Sequence, residues 1–201
     1  VQLAQEFAGQ LTQLLTIRRN FWYSSRYRAV CFREVCLVQY TFSVKRIAIG
    51  SDHAGFELKQ HLISYLATKG LSVDDHGTNS AQSVDYPEIC ANVARAVRDK
   101  KADIGIVLGG SGQGEQIAAN KVIGIRAALC NDLYLAEMAR SHNNANVLSI
   151  GARVVSPELA EQIVDKFLST QFEEGRHAPR VAQLHEIQLA EYKIFLNESS
   201  K

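Results

Sequence analysis

The stretch IGIVLGGSGQGEQ (104–116) runs from a series of apolar residues into a glycine-rich turn and then to a lone carboxylate, Glu115. A short apolar run bounded by turn residues is typical of a strand that is buried on both faces. Glycines after such a strand let the backbone approach a ligand closely, and the residues that follow them open a helix. The stretch therefore predicts a strand–loop–helix unit with a binding site at its loop.

The same alternation of strand and helix extends from Val44 to the end of the chain. Apolar runs predict strands at 44–50, 71–75, 102–108, 125–130 and 146–151. Helical spacing and capping residues predict helices at 54–70, 87–100, 114–121, 132–142, 157–168 and 181–197. Strands that alternate with helices form parallel sheets covered on both faces. We therefore predict a doubly wound, Rossmann-like α/β domain with five parallel strands and helices on both faces.

Residues 1–43 differ in composition from the rest of the chain. They contain five Arg, only two acidic residues and the single Trp, and most of the segment has no clear period. We expect this N-terminal extension to lie outside the fold and residues 44–201 to form the domain. The arginines suit an organellar transit peptide. The alternative, which we favour, is upstream sequence translated from a mistaken start.

Composition narrows the function. A net charge of +1 argues against a protein that binds nucleic acid or a membrane surface. The sequence has no run of about 18 apolar residues, so we expect no membrane span. Its four cysteines show no metal-binding spacing. Unpaired cysteines are typical of reduced thiols, so we expect a cytoplasmic protein.

Polar segments follow several of the predicted strands. Ligands of doubly wound sheets bind at the carboxyl ends of the strands, so we expect these segments to meet there. They are 51–53, the glycine loop 109–115, 141–144 and 151–153.

Each of these features also has a plain structural explanation. The glycines fit a dinucleotide fingerprint poorly, because no acidic residue follows at the expected distance. We favour a loop whose N–H groups face an oxyanion or a phosphate, with a purely structural turn as the alternative. Glu115 also suits the start of a helix, Asp52 a helix N-cap and His142 a helix C-terminus. The basic cluster 176–180 is either a solvated face or a phosphate site.

Five segments together resemble a known family. They are GSDHAGFELK (50–59), GTNSAQSVDYPE (77–88), GGSGQGEQIAANKVIGIRAAL (109–129), ARSHNNANVLSIGARVV (139–155) and EGRHAPRV (174–181). In this order they resemble the ribose-5-phosphate isomerase B family, which also includes galactose-6-phosphate and allose-6-phosphate isomerases. The resemblance implies an aldose–ketose isomerase of the pentose phosphate pathway that interconverts D-ribose 5-phosphate and D-ribulose 5-phosphate without a metal or other cofactor.

The resemblance also implies a role for each site residue. Many family members carry a cysteine base where this chain has Gly109, so the chain is similar to the subgroup that uses a glutamate, here Glu115. His142 matches the proton donor of ring opening. The catalytic set implied is Glu115, His142, Asp52 and Ser111. The substrate-binding set implied is His53, Gly110, Gly112, Gln113, Gly114, Asn143, Arg153, Arg176, His177 and Arg180, of which the arginines match the phosphate ligands.

Two further implications concern partners and alternatives. Family members are homodimers or tetramers of dimers whose active sites are shared between subunits. A six-carbon sugar-phosphate isomerase is the nearest alternative function. A sugar-phosphate-binding protein without turnover is the more distant one, because binding alone does not need Glu115.

Overall fold

Five strands form the centre of the fold. They are β1 (Arg46–Ser51), β2 (Ser72–Asp75), β3 (Ile104–Gly109), β4 (Ala127–Leu129) and β5 (Val147–Gly151). In the computed structural model, which describes residue 44 and residues 46–199, they form one parallel sheet in the order β2-β1-β3-β5-β4. One compact unit begins at Val44. The predicted extension, residues 1–43, lies outside the described residues.

Helices cover both faces of the sheet. They are α1 (Phe56–Thr68), α2 (Tyr86–Arg98), α3 (Gln113–Ala119), α4 (Leu133–Ser141), α5 (Pro157–Ser169) and α6 (Ala178–Ser199), with a 3-10 turn at Gly175–His177. Helix α5 packs between α1 and α4 on one face, and α2 packs on α3 on the other. The predicted doubly wound α/β fold is confirmed.

Local sequence explains where several helices begin. The side chains of Asp132 and Ser156 accept hydrogen bonds from N–H groups three residues later and so cap α4 and α5. Proline stands in the first turn of both α2 and α5, where its missing N–H costs nothing. These signals are readable in the sequence, and the helices follow them within a few residues.

Close approach of α2 to the sheet depends on a glycine in β3. A Cβ atom at Gly105 would lie 2.9 Å from Cγ1 of Val93 and 3.0 Å from Cγ2 of Val147. Both valines are fully buried. A side chain at Gly105 would therefore force α2 or β5 away from the sheet.

The direction of the helices divides the polar segments between two edges of the sheet. A helix that follows a strand runs back toward the amino ends of the strands. The N–H of Asn146, just before β5, donates to the carbonyl of Arg126, just before β4. The Arg126 side chain donates to the carbonyls of Asn143 and Asn144, which follow α4. Segment 141–144 therefore lies at the amino edge, opposite the glycine loop. The prediction that all four segments meet was wrong.

Helix α6 leaves the domain with much of its apolar surface uncovered. Leu184, Ile187, Ile194 and Phe195 are each at least half exposed. The Gln188 side chain accepts a hydrogen bond from the N–H of Gly124 and ties the helix to the loop before β4. None of the described helices combines the length and the apolar character that a membrane span needs.

Candidate active site

Glu115 lies in the first turn of α3 and is buried. Only 4% of it is exposed. Its carboxylate fills the space beside Gly109, where a Cβ atom would lie 1.8 Å from Oε1. Burial raises the pKa of Glu115 above the ordinary glutamate value, a hydrogen bond from its own backbone opposes the rise, and the charge of Asp52 adds to it. This carboxylate is suited to accept and return a proton.

The glycine loop is compressed against its neighbours. Gly112 has a φ of +77°, and a Cβ there would lie 2.5 Å from Leu129. A Cβ at Gly114 would lie 2.6 Å from the Tyr86 ring. The carbonyl of Gly112 accepts a hydrogen bond from the Ser149 hydroxyl at 2.7 Å. Glycine is required here so that the backbone itself can form the wall of the site.

The turn after β5 is fixed to this loop and carries Arg153. The N–H of Ala152 donates to the carbonyl of Gly109 at 2.8 Å, and that of Arg153 donates to Gly110 at 3.1 Å. Arg153 is exposed, and a Cβ atom built on Gly110 would lie 3.5 Å from its guanidinium. Ser111, also exposed, accepts a long hydrogen bond from the N–H of Gln113 at 3.3 Å. An anion above the loop would therefore meet a cation and the loop backbone together.

Asp52 and His53 complete the carboxyl edge. Asp52 is 8% exposed, and its Oδ1 accepts hydrogen bonds from the N–H groups of Ala54 and Gly55. Asp52 is therefore not the N-cap of α1, which is Gly55 without a side-chain hydrogen bond, and the N-cap reading of Asp52 was wrong. Its two bonds close the turn before α1 and hold the carboxylate at the end of β1. His53 Nδ1 accepts a long hydrogen bond, 3.4 Å, from the N–H of Val84.

Cys90 is a neighbour of the site that the sequence did not reveal. It is fully buried in α2. Burial, with smaller effects from the charges of Glu115 and Asp52, raises the pKa of its thiol to about 12. Cys130 has a pKa of about 12 for the same first reason. Both thiols are free and neutral, so neither is a base at physiological pH.

The amino edge carries a second polar cluster, formed by His142 and the segment before α6. The His142 and His177 rings stack with centroids 4.1 Å apart and planes 9° from parallel. Glu173 Oε2 lies 3.8 Å from Nε2 of each ring, and Arg176 Nε donates to His177 Nε2 at 3.2 Å. Burial, followed by the electrostatic effects of His142 and Arg176, lowers the pKa of His177.

Exposed groups flank this cluster. Asn143 follows His142, and Arg180 in the first turn of α6 also lowers the pKa of His177. The side chain of His142 stacks rather than capping α4, whose last turn is closed by the backbone N–H of His142 donating to Met138. The sequence did not single out Glu173, because it lies in a non-helical segment, where a spacing of four residues predicts no contact.

The amino-edge cluster has the donor atoms of a metal site but not the geometry. His142, Glu173 and His177 place one ligand atom each within 4.8 Å of one another. The lone pairs of stacked, parallel rings stay in two separate planes and do not meet at one point. Arg176 also donates to the nitrogen that would bind the ion. Two arginines and two histidines around one carboxylate favour an anion instead.

In a single chain the residues of the predicted site thus form two separate groups, one at each edge of the sheet. The carboxyl edge holds Asp52, His53, Gly110, Ser111, Gly112, Gln113, Gly114, Glu115 and Arg153. The amino edge holds His142, Asn143, Arg176, His177 and Arg180.

Comparison with known proteins defines the class. Residues 47–184 match the family described as ribose/galactose isomerase. The chain belongs to this family of sugar isomerases.

Individual relatives narrow the comparison. Ribose-5-phosphate isomerase B of Escherichia coli K12 is 46% identical over 145 residues, which cover 72% of this chain and 97% of that protein. D-erythrulose-4-phosphate isomerase of Pectobacterium atrosepticum is 45% identical over 139 residues, covering 69% and 91%. The structure of ribose-5-phosphate isomerase B from Clostridium thermocellum superposes with a TM-score of 0.72 at 49% identity, covering 73% of this chain and 99% of that one. The resemblance found in the sequence is confirmed.

Proposed function

We propose that the protein interconverts D-ribose 5-phosphate and D-ribulose 5-phosphate through an enediolate. The observation that carries the proposal is the buried Glu115 carboxylate, with its raised pKa, at the glycine loop. Two of the relatives compared above are named ribose-5-phosphate isomerase B, which supports a five-carbon substrate.

Glu115 is the base in this proposal. Moving the carbonyl between C1 and C2 requires removal of the C2 proton and its return to C1, and one carboxylate can do both. A pKa above the ordinary glutamate value brings the base closer to the pH at which it works. The chemistry is an internal transfer of hydrogen within one sugar, so the residues present can carry it without a metal or a nicotinamide.

The glycine loop stabilises the enediolate oxygen. We assign this role to the backbone N–H groups between Gly110 and Gly114, except that of Gln113, which donates to the Ser111 hydroxyl. Ser111 is exposed. Donors held rigidly at the developing charge stabilise the transition state more than the substrate. Asp52 and His53 bind the hydroxyl groups of the sugar from the end of β1.

The amino-edge cluster serves the site of a second subunit. Ring opening needs a proton donor, the role of His142, and phosphate needs cations, the role of Arg153, Arg176 and Arg180, with His177 and Asn143 nearby. Because the two edges lie on opposite sides of one sheet, we infer a homodimer, alone or paired as a tetramer, in which each site combines the carboxyl edge of one chain with the amino edge of the other.

Uncovered apolar surface supports this assembly. Exposed residues of α6 include Leu184 and Ile187, and a groove of about 580 Å³ lies between α6, α4 and the loop into β4. Apolar surface of this kind is seldom left exposed to water in a stable protein, so a second subunit is expected to cover it.

We also place the catalytic domain at residues 44–201 and the reaction in the cytoplasm, where thiols such as Cys90 stay reduced. The family match supports the start of the domain, because it begins at residue 47.

An isomerase assay with phosphorylated sugars of four, five and six carbons tests the substrate. We expect the highest kcat/KM for ribose 5-phosphate. A higher value for erythrulose 4-phosphate or for a six-carbon substrate would replace the proposed substrate, and binding without turnover of any of them would refute an enzymatic function.

A further inference from the structure

Lys59 is a charged residue where the fold would accept an apolar one. It lies in α1, is fully buried, and is one of the largest fully buried side chains among the described residues. Its Nζ forms an ion pair with Oδ2 of Asp75, at the end of β2, and lies 5.8 Å from the centre of the Phe56 ring. Asp75 keeps 29% of its side chain exposed, so the pair takes only the lysine fully out of water. Burial of an ammonium group costs free energy that burial of an apolar side chain of the same size does not. Stability alone does not account for this lysine.

Asp75 also forms a hydrogen bond with the backbone that follows β2. Its other oxygen, Oδ1, accepts a hydrogen bond from the N–H of Gly77 at 2.9 Å. The carbonyl of Gly77 then accepts from the N–H of Ser51, and the N–H of Thr78 donates to the carbonyl of Ser51, both at 2.7 Å. Lys59 is thus linked through two residues to the position immediately before Asp52.

The segment held in this way borders the carboxyl edge at both of its ends. Gly77 and Thr78 bond to Ser51 at the start of the segment, and the N–H of Val84 donates to His53 near its end. Between them the residues are mostly exposed, so little packing fixes their position. The segment 77–84 therefore depends on its ends, and one end depends on Asp75.

We propose that Lys59 is a positioning residue that orients Asp75 and thereby holds segment 77–84 beside Asp52 and His53. This inference rests on the proposed function for its effect on catalysis, but the link itself does not. Lys59 acts on the part of the site formed by Asp52 and His53 and not on Glu115. Its loss should therefore weaken substrate binding more than proton transfer.

Lys59→Met tests the link, with Lys69→Met as the matched control. Lys69 is the C-cap residue of α1. It also forms an ion pair with an aspartate, Asp165, at 2.9 Å, but this pair lies at the surface. We expect Lys59→Met to speed amide hydrogen exchange at Gly77 and Thr78 by about tenfold or more and Lys69→Met to leave it unchanged. Equal exchange in both variants would refute the link.

Kinetics test the consequence. We expect the KM for ribose 5-phosphate to rise about tenfold in Lys59→Met, while the isotope effect on the C2 proton and the inhibition constant of inorganic phosphate stay as in the wild type. Faster exchange without a change in KM would refute a role in substrate binding. If Lys59→Met does not fold, Lys59→Met/Asp75→Asn, which buries no charge, replaces it with the same expectations. A wild-type protein without isomerase activity would refute the proposed function, and the exchange comparison would still decide the link.

Discussion

The carboxylate of Glu115 occupies the space that a side chain at Gly109 would fill, because a Cβ built on Gly109 would lie 1.8 Å from its Oε1 and 2.1 Å from its Cδ. A base can therefore be carried at position 109 or at position 115, but not at both. A glutamate at 115 requires glycine at 109, and a cysteine at 109 would require a smaller or displaced residue at 115.

This relationship predicts the effect of Gly109→Cys. The new side chain must displace the Glu115 carboxylate, and a displacement of about 1 Å can cost roughly 10² in rate. We expect kcat to fall by about that factor while substrate binding is retained.

In the double variant Gly109→Cys/Glu115→Ala the space beside residue 109 is free, so some activity should return and become sensitive to iodoacetamide. The wild type should resist this reagent, because Cys90 and Cys130 are buried with pKa values of about 12. Unchanged activity in Gly109→Cys would contradict the exclusion.

Glu115→Gln should separate binding from proton transfer. The amide keeps the shape but cannot accept the proton, so we expect kcat to fall by about 10² to 10⁴ while ribose 5-phosphate still binds. Exchange of the C2 proton with deuterated solvent measures the step directly. Exchange and turnover near the wild-type rate would show that Glu115 is only a residue of the helix start.

Glu115→Gln, which is expected to lower kcat, should raise the stability of the folded protein at neutral pH. The pKa of Glu115 is raised in the folded protein, so as pH rises through the ordinary glutamate pKa the unfolded chain releases this proton first. The folded state therefore loses stability between that pH and the raised pKa. We expect Glu115→Gln to have a higher melting temperature than the wild type at neutral pH, with a smaller gain near about pH 4. A lower melting temperature at neutral pH would argue against the burial cost of the carboxylate.

Asp52→Asn should move the acidic limb of the pH profile. The base must be ionised, so kcat/KM falls as pH drops through the pKa of Glu115. Asp52 contributes to raising that pKa, and its neutralisation should shift the limb to lower pH, whatever its effect on the maximal rate. The control is Asp99→Asn, because Asp99 is an exposed partner of Arg98 at the end of α2. A limb that stays in place in Asp52→Asn would assign it to another group.

Mixed dimers test the shared site. Glu115→Gln damages the carboxyl edge and His142→Asn the amino edge, so a mixed dimer of the two retains one intact site. Random mixing of the chains should then restore about a quarter of the wild-type activity. Glu115→Gln mixed with Asp52→Asn, where both changes affect the same edge, should restore none. Equal recovery in the two mixtures, or none in either, would argue against sites built from opposite edges.

Glu174 offers a prediction about stability alone. Its φ of 59° and ψ of −122° lie in a region that side chains disfavour and glycine accepts. Glu174→Gly should therefore raise the free energy of unfolding by about 1 kcal/mol. Glu174→Ala keeps a Cβ and should give no such gain, and the two can be compared by urea denaturation. A similar result for both would locate the effect in the side chain and not in the backbone.

The sequence by itself determined the elements and their chemistry. The five apolar runs, the capping residues and the two prolines led to the observed strands and helices, because these signals act within a few residues of the chain. The glycine loop and Glu115 were recognisable for the same reason, since a strand, its turn and the following helix are contiguous. The quoted motifs were also enough to identify the family.

Only the tertiary structure decided which groups meet. His142 follows a strand by about one helix length, so α4 carries it back to the amino edge, away from Glu115. The burial of Lys59 was likewise hidden, because a lysine on an amphipathic helix usually extends to water. The contact between Gly109 and Glu115 depends on how the first turn of α3 folds back over the end of β3. These are relations between side chains set by packing in three dimensions, and the local patterns that fix a helix or a strand do not contain them.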